Sequence, residues 1–504
     1  MPPYTRFPPK GPSAPETAPA PEQAPVQADT PSAAAQAGLR AMPELQEKSL
    51  NWLVPLLMWS LILPVIVNLG PLRLSPNRII LLLTVVPLVI MWLMGAAGRI
   101  RVADILVIFS SLWMTITLII YGGVPLIETA GITGVEMLGP YLMARCLIRT
   151  EKQYQTLIRH LYWIAVVLAP IAAIEATTGI RALHLLFDPF FSTFPYGSNM
   201  RWNMIRTHTG FEHPILFGCF TAFLFSPVYF SLRLRMSPVK AFMMALPVPV
   251  ATFFALSMGA YLGLIGQFML IGWAFVMRKL TARWYILSGL ILFAYVFVDV
   301  LSNRNPFEVF ISYLVFDAHT AYWRVLIFTF GIQNVWSNPI FGIGLGDWFR
   351  PYFMYSSSVD NFWLLMAMRH GIPGFLLITG AYVAVMTTLM RTKPSQASVQ
   401  THRRALVFSL IGLGVAIITV HLWNATFVFL MFTLGAGAWM SDTPQEEQGT
   451  KTRSPATLPK GRGGASSGVS PGAAAPHGAA TAPARSDQNR MSATRTPSTY
   501  LVKR

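Results

Sequence analysis

Apolar runs of roughly 20 residues, the length a helix needs to cross a bilayer, recur along the chain. Twelve spans are predicted, near 51–70, 79–98, 102–121, 124–144, 157–176, 213–232, 241–256, 258–277, 285–301, 361–390, 404–422 and 424–440. Only Ser257 to Gly259 divide the seventh from the eighth. The runs lack the period-two alternation of membrane barrel strands. The expected fold class is therefore an all-α polytopic membrane protein. Two connections are long, 177–212 and 302–360. Within the second, Phe307, Phe310, Ile311, Leu314 and Val315 recur at helical spacing, as do Tyr322, Val325, Phe328, Ile332 and Val335. Both sets read as amphipathic helices lying at the membrane surface. Asn338 and Pro339 should stop the second helix, and Gly342, Gly344 and Gly346 permit a tight path after it. No strand precedes these glycines, so they do not form a dinucleotide-binding turn.

The spans lie within a domain at 49–440. Residues 1–48 are rich in Pro, Ala and Gln, and residues 441–504 in Gly, Ser and Pro with scattered Arg. Neither stretch can bury a core, and both are expected to be disordered tails. The first apolar run begins near Asn51, so no cleavable signal peptide is expected.

Composition agrees with a membrane setting: 53% of residues are hydrophobic and 12% charged, against about a quarter charged in soluble domains. The net charge is +17, and little of it lies in the tails. In a membrane protein such an excess records orientation rather than nucleic-acid binding. Sixteen Lys and Arg fall in one alternate set of loops, from Arg99 and Arg101 to Arg403 and Arg404; nine fall in the other, including Arg73, Arg78, Arg201 and Arg206. The positive-inside rule places the richer set in the cytoplasm. Both termini are then cytoplasmic and both long loops face outward. The basic C-terminal tail could touch anionic lipid headgroups or simply be solvated. Cys146 and Cys219 lie in or beside apolar runs, outside any paired motif, and read as packing residues.

The outward stretch 317–374 gathers His319, Arg324, Arg350, Asp360, Arg369 and His370. Guanidinium groups suit phosphate, because a planar fork donates two parallel hydrogen bonds and keeps its charge. The plainer alternative is an arginine that snorkels to headgroups. Asp360 falls where the long loop enters the tenth span. Ser358 or Asp360 could cap that helix, or Asp360 could take a proton from a sugar hydroxyl. Asn361 could hold a sugar hydroxyl or nearby backbone. Gly371, Pro373 and Gly374 suggest a kink or a half-helix. His208, His213 and His319 show no metal-ligand spacing, and no metal is expected. Among acids in or near spans (Asp104, Glu128, Glu136, Glu175, Asp299), Glu136 is deepest. It could pair with an arginine of a neighbouring span or serve a proton-coupled transporter.

Taken in order, four motifs resemble the O-antigen ligase and polysaccharide polymerase family. Arg206, Gly210, Phe211, His213 and Pro214 resemble the family's arginine followed by a G-x-x-x-P helix start. Ser257 to Ala260, SMGA, resembles its Ser-Arg-Gly-Ala helix start. Arg324 precedes Asn338, Pro339, Gly342, Gly344 and Gly346, similar to an arginine ahead of N-P-x-x-G-x-G-x-G. Asp360 and Asn361, then Gly371 and Gly374, resemble His-Asn followed by an apolar helix and G-x-x-G. The resemblance covers about residues 200–380. Met258 replaces the arginine of the second motif, and Asp360 replaces the histidine of the fourth.

The resemblance implies a multi-pass glycosyltransferase of the bacterial inner membrane, acting on its outer, periplasmic side. The donor would be a glycan on a polyprenyl diphosphate, and the acceptor another lipid-linked repeat unit. Arg206 and Arg324 would hold the diphosphate and Asp360 would be the base. Asn361, His319, Arg350, His213 and Arg369 would contact substrate. No cofactor or metal is expected. The implied partners are membrane lipids and a chain-length regulator of the same pathway, with no nucleic acid. Aspartate in place of histidine favours the polymerase branch, which builds exopolysaccharide, capsule or O-antigen. One alternative is ligase-type transfer of a finished glycan to another acceptor. The other is a flippase or secondary transporter, although no internal repeat of broken helices is visible.

Overall fold

The computed structural model describes residues 49–445, except 71, 196, 198, 304, 305, 307 and 310–317. Both expected tails, apart from residues 441–445, and most of the first predicted surface helix lie outside the described residues.

The architecture is a helical bundle with short strands at one end. The helices are α1 (Leu53–Ser60), α2 (Pro76–Leu93), α3 (Val102–Gly122), α4 (Ile127–Leu147), α5 (Glu151–Thr178), α6 (Ala182–Phe187), α7 (Pro214–Arg233) and α8 (Pro238–Ala245). They continue as α9 (Pro247–Phe254), α10 (Met258–Val276), α11 (Arg283–Leu301), α12 (Ala318–Ser337), α13 (Phe362–Arg391), α14 (Ala397–Ala416) and α15 (Asn424–Ala436). The strands are β1 (Val65–Leu69), β2 (Leu72–Leu74), β3 (Ser192–Thr193), β4 (Met200–Arg201) and β5 (Met204–Ile205). They pair antiparallel, in the order β2-β1-β3 and as a β4-β5 hairpin.

Among the described residues, eight segments are long and apolar enough to cross a membrane: α2, α3, α5, α7, α10, α11, α13 and Asn424–Ser441. The chain is thus a multi-pass helical membrane protein. Helices α4 and α14 have comparable lengths but more polar sequences, and more than half of each is buried in the bundle. Charge is tolerated there because protein partners replace water. Glu136 of α4 accepts a 2.7 Å hydrogen bond from Arg78 at the start of α2, the first of the two roles open to the deepest acid. Farther along α4, fully buried Arg145 donates to both oxygens of buried Asp104 on α3, at 2.8 and 2.9 Å.

The first predicted span, 51–70, is not a single helix. It is the eight-residue α1 followed by strand β1. Pro64 lacks the N–H that a continuing helix needs, and β1 finds its hydrogen bonds with β2 and β3 instead. The seventh span also divides, into α8 and α9, which join through Leu246.

Helix α7 is apolar all round, and its neighbours cover it accordingly. Phe217, Phe220 and Phe223 are buried, with Phe220 and Phe223 packed on Phe429 of α15. Helix α4 packs against α2, α3 and α15, and α10 lies between α7 and α14. Cys146 and Cys219 are buried free thiols.

The loops meet in two groups. Arg101 and Arg149 both bind Asp442, Arg235 reaches Gln155, and Ser398 reaches Glu151. At the other end lie β1–β5, the α12–α13 connection and the α14–α15 turn. This division follows the two alternate loop sets distinguished by their Lys and Arg content.

Candidate functional site

Three segments converge on Asp360. The first is 200–213. Its hairpin turns through Trp202 (φ 52°) and Asn203 (φ 60°), both left-handed, as a two-residue hairpin turn of this hand requires. Arg201 on β4 then donates to the Leu256 carbonyl at 2.8 Å. Arg206 N donates to Asn199 O at 2.9 Å, and Thr207 N to Phe254 O at 3.1 Å. The carboxylate of Glu175, at the end of α5, accepts from the backbone N–H groups of His208 (3.2 Å) and Thr209 (3.1 Å). Gly210 passes so close to the chain just after α1 that a Cβ there would lie 1.7 Å from the Ile62 carbonyl oxygen. The glycine two residues before Glu212 is therefore a requirement of the packing.

The second segment is α12. Its sequence stripe holds in part: Val335 is buried and Phe328 and Ile332 pack against the core, but Tyr322 is exposed, and Trp323, Leu326, Ile327 and Phe330 outside the stripe pack as well. This face lies on α13 and carries Arg324 with it.

The third segment is the start of α13. Asn361 caps the helix, its Oδ1 accepting from Leu364 N at 3.0 Å. The cap is thus one residue beyond Asp360 and three beyond Ser358, the two positions expected to provide it. Among the described residues Asp360 then accepts one hydrogen bond, at 2.9 Å from the Ser358 hydroxyl. Arg324, Asp360 and Asn361 face one small pocket together with Ile418.

The electrostatics tie the segments together. Burial pushes the Arg206 guanidinium down to about 10; Arg201 adds to the effect, and Tyr261 and Asp360 oppose it. Burial likewise lowers Arg324, opposed by Asp360. His213 is lowered by burial and by Arg206. Arg206 Nε and Arg324 Nε and Nη1 are buried with no hydrogen-bond partner among the described residues. A buried unsatisfied donor costs roughly 1–3 kcal/mol, and more when charged. Arg206 and Arg324 both feel Asp360, and Arg201 lies within electrostatic reach of both arginines; such a group makes a place for a multiply charged anion, with a carboxylate beside it able to accept a proton.

Arg206, His213, Arg324, Asp360 and Asn361 are therefore brought together. The other candidates are not. The Arg350 guanidinium serves its own loop, donating to Asp347, to Met354 O at 2.8 Å and to Trp348 O at 3.2 Å. Arg369 faces a separate cavity. His319 lies in the first turn of α12, and its side chain is outside the described residues.

Sequence reasoning did not single out two residues here, Arg201 and Tyr261. Arg201 was legible only as another outward arginine, five positions before Arg206. Tyr261 lies within an apolar span and gave no signal. Its ring stacks with those of Trp202 and Phe253, both at 6.3 Å between centroids. This makes an aromatic shelf beside Arg201 and Arg206.

The remaining motifs serve packing. A Cβ on Gly259 would lie 2.4 Å from Val420, and one on Gly218 would lie 2.7 Å from the Ala260 methyl. Small residues at 259 and 260 let α10 approach α7 and the α14–α15 turn. Met258, the position where the family has arginine, is half-buried.

A search of curated proteins gave no match to the chain. Residues 241–379 match the family described as O-antigen ligase. This stretch includes Tyr261, Arg324 and Asp360, whereas Arg201, Arg206 and His213 precede it. Over residues 241–379 the chain is thus similar to the O-antigen ligase family.

Proposed function

We propose that the protein transfers a glycan from a polyprenyl diphosphate to an acceptor hydroxyl at the outer face of the bacterial inner membrane. The supporting observation is the pair of half-buried arginines, Arg206 and Arg324, which carry buried donors unpartnered among the described residues and lie within electrostatic reach of Asp360. The bond between the anomeric carbon and the lipid diphosphate breaks, and the acceptor oxygen bonds to that carbon. Asp360 takes the hydroxyl proton. The departing diphosphate pairs with Arg206 and Arg324, as preorganised cations stabilise developing charge. Asn361 and His213 border the reacting groups. The reaction calls for neither a nucleotide sugar nor a metal, and both termini lie in the cytoplasm.

The description of the matched family supports ligase-type transfer of a finished glycan over the polymerase expected from the sequence. Polymerisation stays as the second reading because Asp360 stands where that family carries histidine. Product analysis in cells lacking the protein separates them. Accumulated finished lipid-linked chains support the ligase, and accumulated single repeats support the polymerase. Flux of a lipid-linked glycan into proteoliposomes without any new glycosidic bond would overturn both in favour of transport.

A further inference from the structure

Beside the Asp360 cluster lies a second cavity, of about 350 Å³. Its walls come from β2, α2, α3, α4, the first half of α13 and the turn before α15. The charged groups on those walls are Arg73, Arg78, Glu128, Glu136 and Arg369. Arg78 is committed, its Nε to Glu136 and its Nη2 to Asn424, each at 2.7 Å. Glu136 is thereby neutralised. Exposed Glu128 remains against Arg73 and Arg369, so the cavity keeps an excess of positive charge.

Arg369 is the informative member. It sits in the last helical turn before the break in α13, and is largely shielded from solvent. Its guanidinium has no hydrogen-bond or ion-pair partner among the described residues. A shielded guanidinium gains most from an anion that it can grip with two parallel bonds. The facing wall adds His421, whose Nδ1 is buried and unpaired among the described residues, and the Trp423 ring. Ring edges of imidazole and indole beside a guanidinium suit a sugar, offering a polar nitrogen for hydroxyls and an apolar rim for C–H groups. The volume is at the small end for ligand sites and would take one or two sugar residues.

A stack of rings joins the two places. His213, within electrostatic reach of Arg206 and Asp360, packs on Trp423 at 5.8 Å between centroids. Trp423 stacks on His421 at 5.5 Å and 23°. Its Nε1 is pinned to Glu212 at 2.8 Å, next to His213 in the chain. A glycan whose end reacts at Asp360 could place a neighbouring residue across this wall.

We propose that this cavity is a subsite for a carboxylate-bearing sugar residue of the glycan, with Arg369 gripping the carboxylate. The proposal rests on the glycan-transfer reading and adds a substrate class to it, acidic saccharides. The test uses the full chain in detergent micelles and measures binding by microscale thermophoresis. The probes are a trisaccharide of glucuronic acid and a neutral glucose trisaccharide. The acidic trisaccharide should bind, and the neutral one should bind at least tenfold more weakly. Arg369→Gln should weaken the acidic probe about tenfold or more, and Arg369→Lys should restore part of the loss. Equal binding of both probes, or no effect of Arg369→Gln in a variant that keeps the wild-type melting temperature, would overturn the proposal. Displacement of the acidic probe by short-chain phosphatidylglycerol at lower concentration than by glucuronate would also overturn it, assigning the cavity to a lipid headgroup. Asp360→Asn separates this proposal from the proposed reaction. That variant should lose transfer yet bind the acidic probe as the wild type does, so failure of either reading is seen by itself.

Discussion

A side chain on Gly371 would begin 2.0 Å from the carbonyl oxygen of Ile340. This contact is part of a backbone seam between the connection after α12 and the break in α13. Pro373 has no N–H to offer Arg369 O, and Gly344 N supplies that bond at 3.0 Å. Ile372 N turns away to Pro339 O at 2.7 Å, and Ile343 N takes its place on Met368 O at 2.8 Å. Trp113 Nε1 serves His370 O at 2.8 Å. Each carbonyl freed by the break finds a donor from outside the helix, as non-helical backbone at membrane depth requires. Gly371 (φ 70°) and Gly342 (φ 73°) are also left-handed, which would strain any other residue by about 1–3 kcal/mol. Gly371→Ala and Gly342→Ala should therefore each lower the melting temperature and most of the glycan product. Gly272→Ala is the control. It sits in α10 with nothing near its Cβ position and should match or exceed wild-type stability. Wild-type melting of Gly371→Ala would show that the seam is not required.

Arg206 and Arg324 approach Asp360 from different loops, so each should matter separately. Removing one preorganised donor from a developing anion costs about 10²–10³ in rate in comparable sites. Arg206→Ala and Arg324→Ala should each reduce glycan transfer by about that factor, with normal amounts of protein in the membrane. Lysine at either position should recover only part, since an ammonium keeps the charge but lacks the two-pronged donor. Arg350→Ala should lose much less, because that guanidinium already binds Asp347, Trp348 O and Met354 O. Product quantified against membrane protein decides the matter. A loss from Arg350→Ala equal to that from Arg324→Ala would count against the site as drawn.

What could be read from the sequence depended on whether a residue's role was local or shared. Apolar length is local, and the strongest helices followed it. The break at Gly371 is legible for the same reason, and so is part of the stripe on α12. The first span departs from its apolar pattern because Pro64 and the pairing of β1 with β2 and the distant β3 outweigh four apolar residues. The site was partly legible, since Arg206, Arg324 and Asp360 stand out as charges between apolar runs. Arg201 and Tyr261 were not, because their relevance comes from a hairpin meeting the turn before α10. The helix cap fell on Asn361 rather than on the two expected positions, and a shift of one residue changes which group is free for chemistry. Arg369 was read as one more member of the cluster. Only the packing of α13 shows that it faces the other cavity.

His213 gives the site a pH dependence whose sign can be worked out. Its Nδ1 accepts from Ile215 N at 3.2 Å, so the neutral ring caps α7. Burial and Arg206 hold the folded group below its ordinary value of 6.5. As pH falls through 6.5 the unfolded chain takes up a proton that the folded one resists, so stability declines on acidification. His208, pushed down to about 4 by burial, acts in the same direction between pH 6.5 and about 4. Wild-type melting temperature should fall on going from pH 7.5 to 5. His213→Asn keeps a capping acceptor without the titration, and should show a smaller fall. Scanning calorimetry or intrinsic fluorescence at the two pH values measures the difference, and an equal fall in both proteins would remove His213 from the account.

The identity of the group at 360 tests the base directly. The role assigned to Asp360 requires a proton acceptor at the start of α13, held by Ser358 on one oxygen and open on the other. Asparagine has nearly the same shape and can accept the Ser358 bond, yet it cannot take a proton at neutral pH. Asp360→Asn should therefore fold, reach the membrane and transfer no glycan above background. Histidine can accept a proton, and general-base assistance contributes about 10²–10⁴ in rate. Asp360→His should then retain transfer well above that of Asp360→Asn, although its ring reaches farther than a carboxylate and leaves the Ser358 contact changed. The order Asp, then His, then Asn follows from proton acceptance. An order of Asp, then Asn, then His would follow from shape alone, and would make Asp360 a structural partner of Arg206 and Arg324 rather than the base. Glycan product per unit of membrane protein, measured for the three chains at one pH, distinguishes the two.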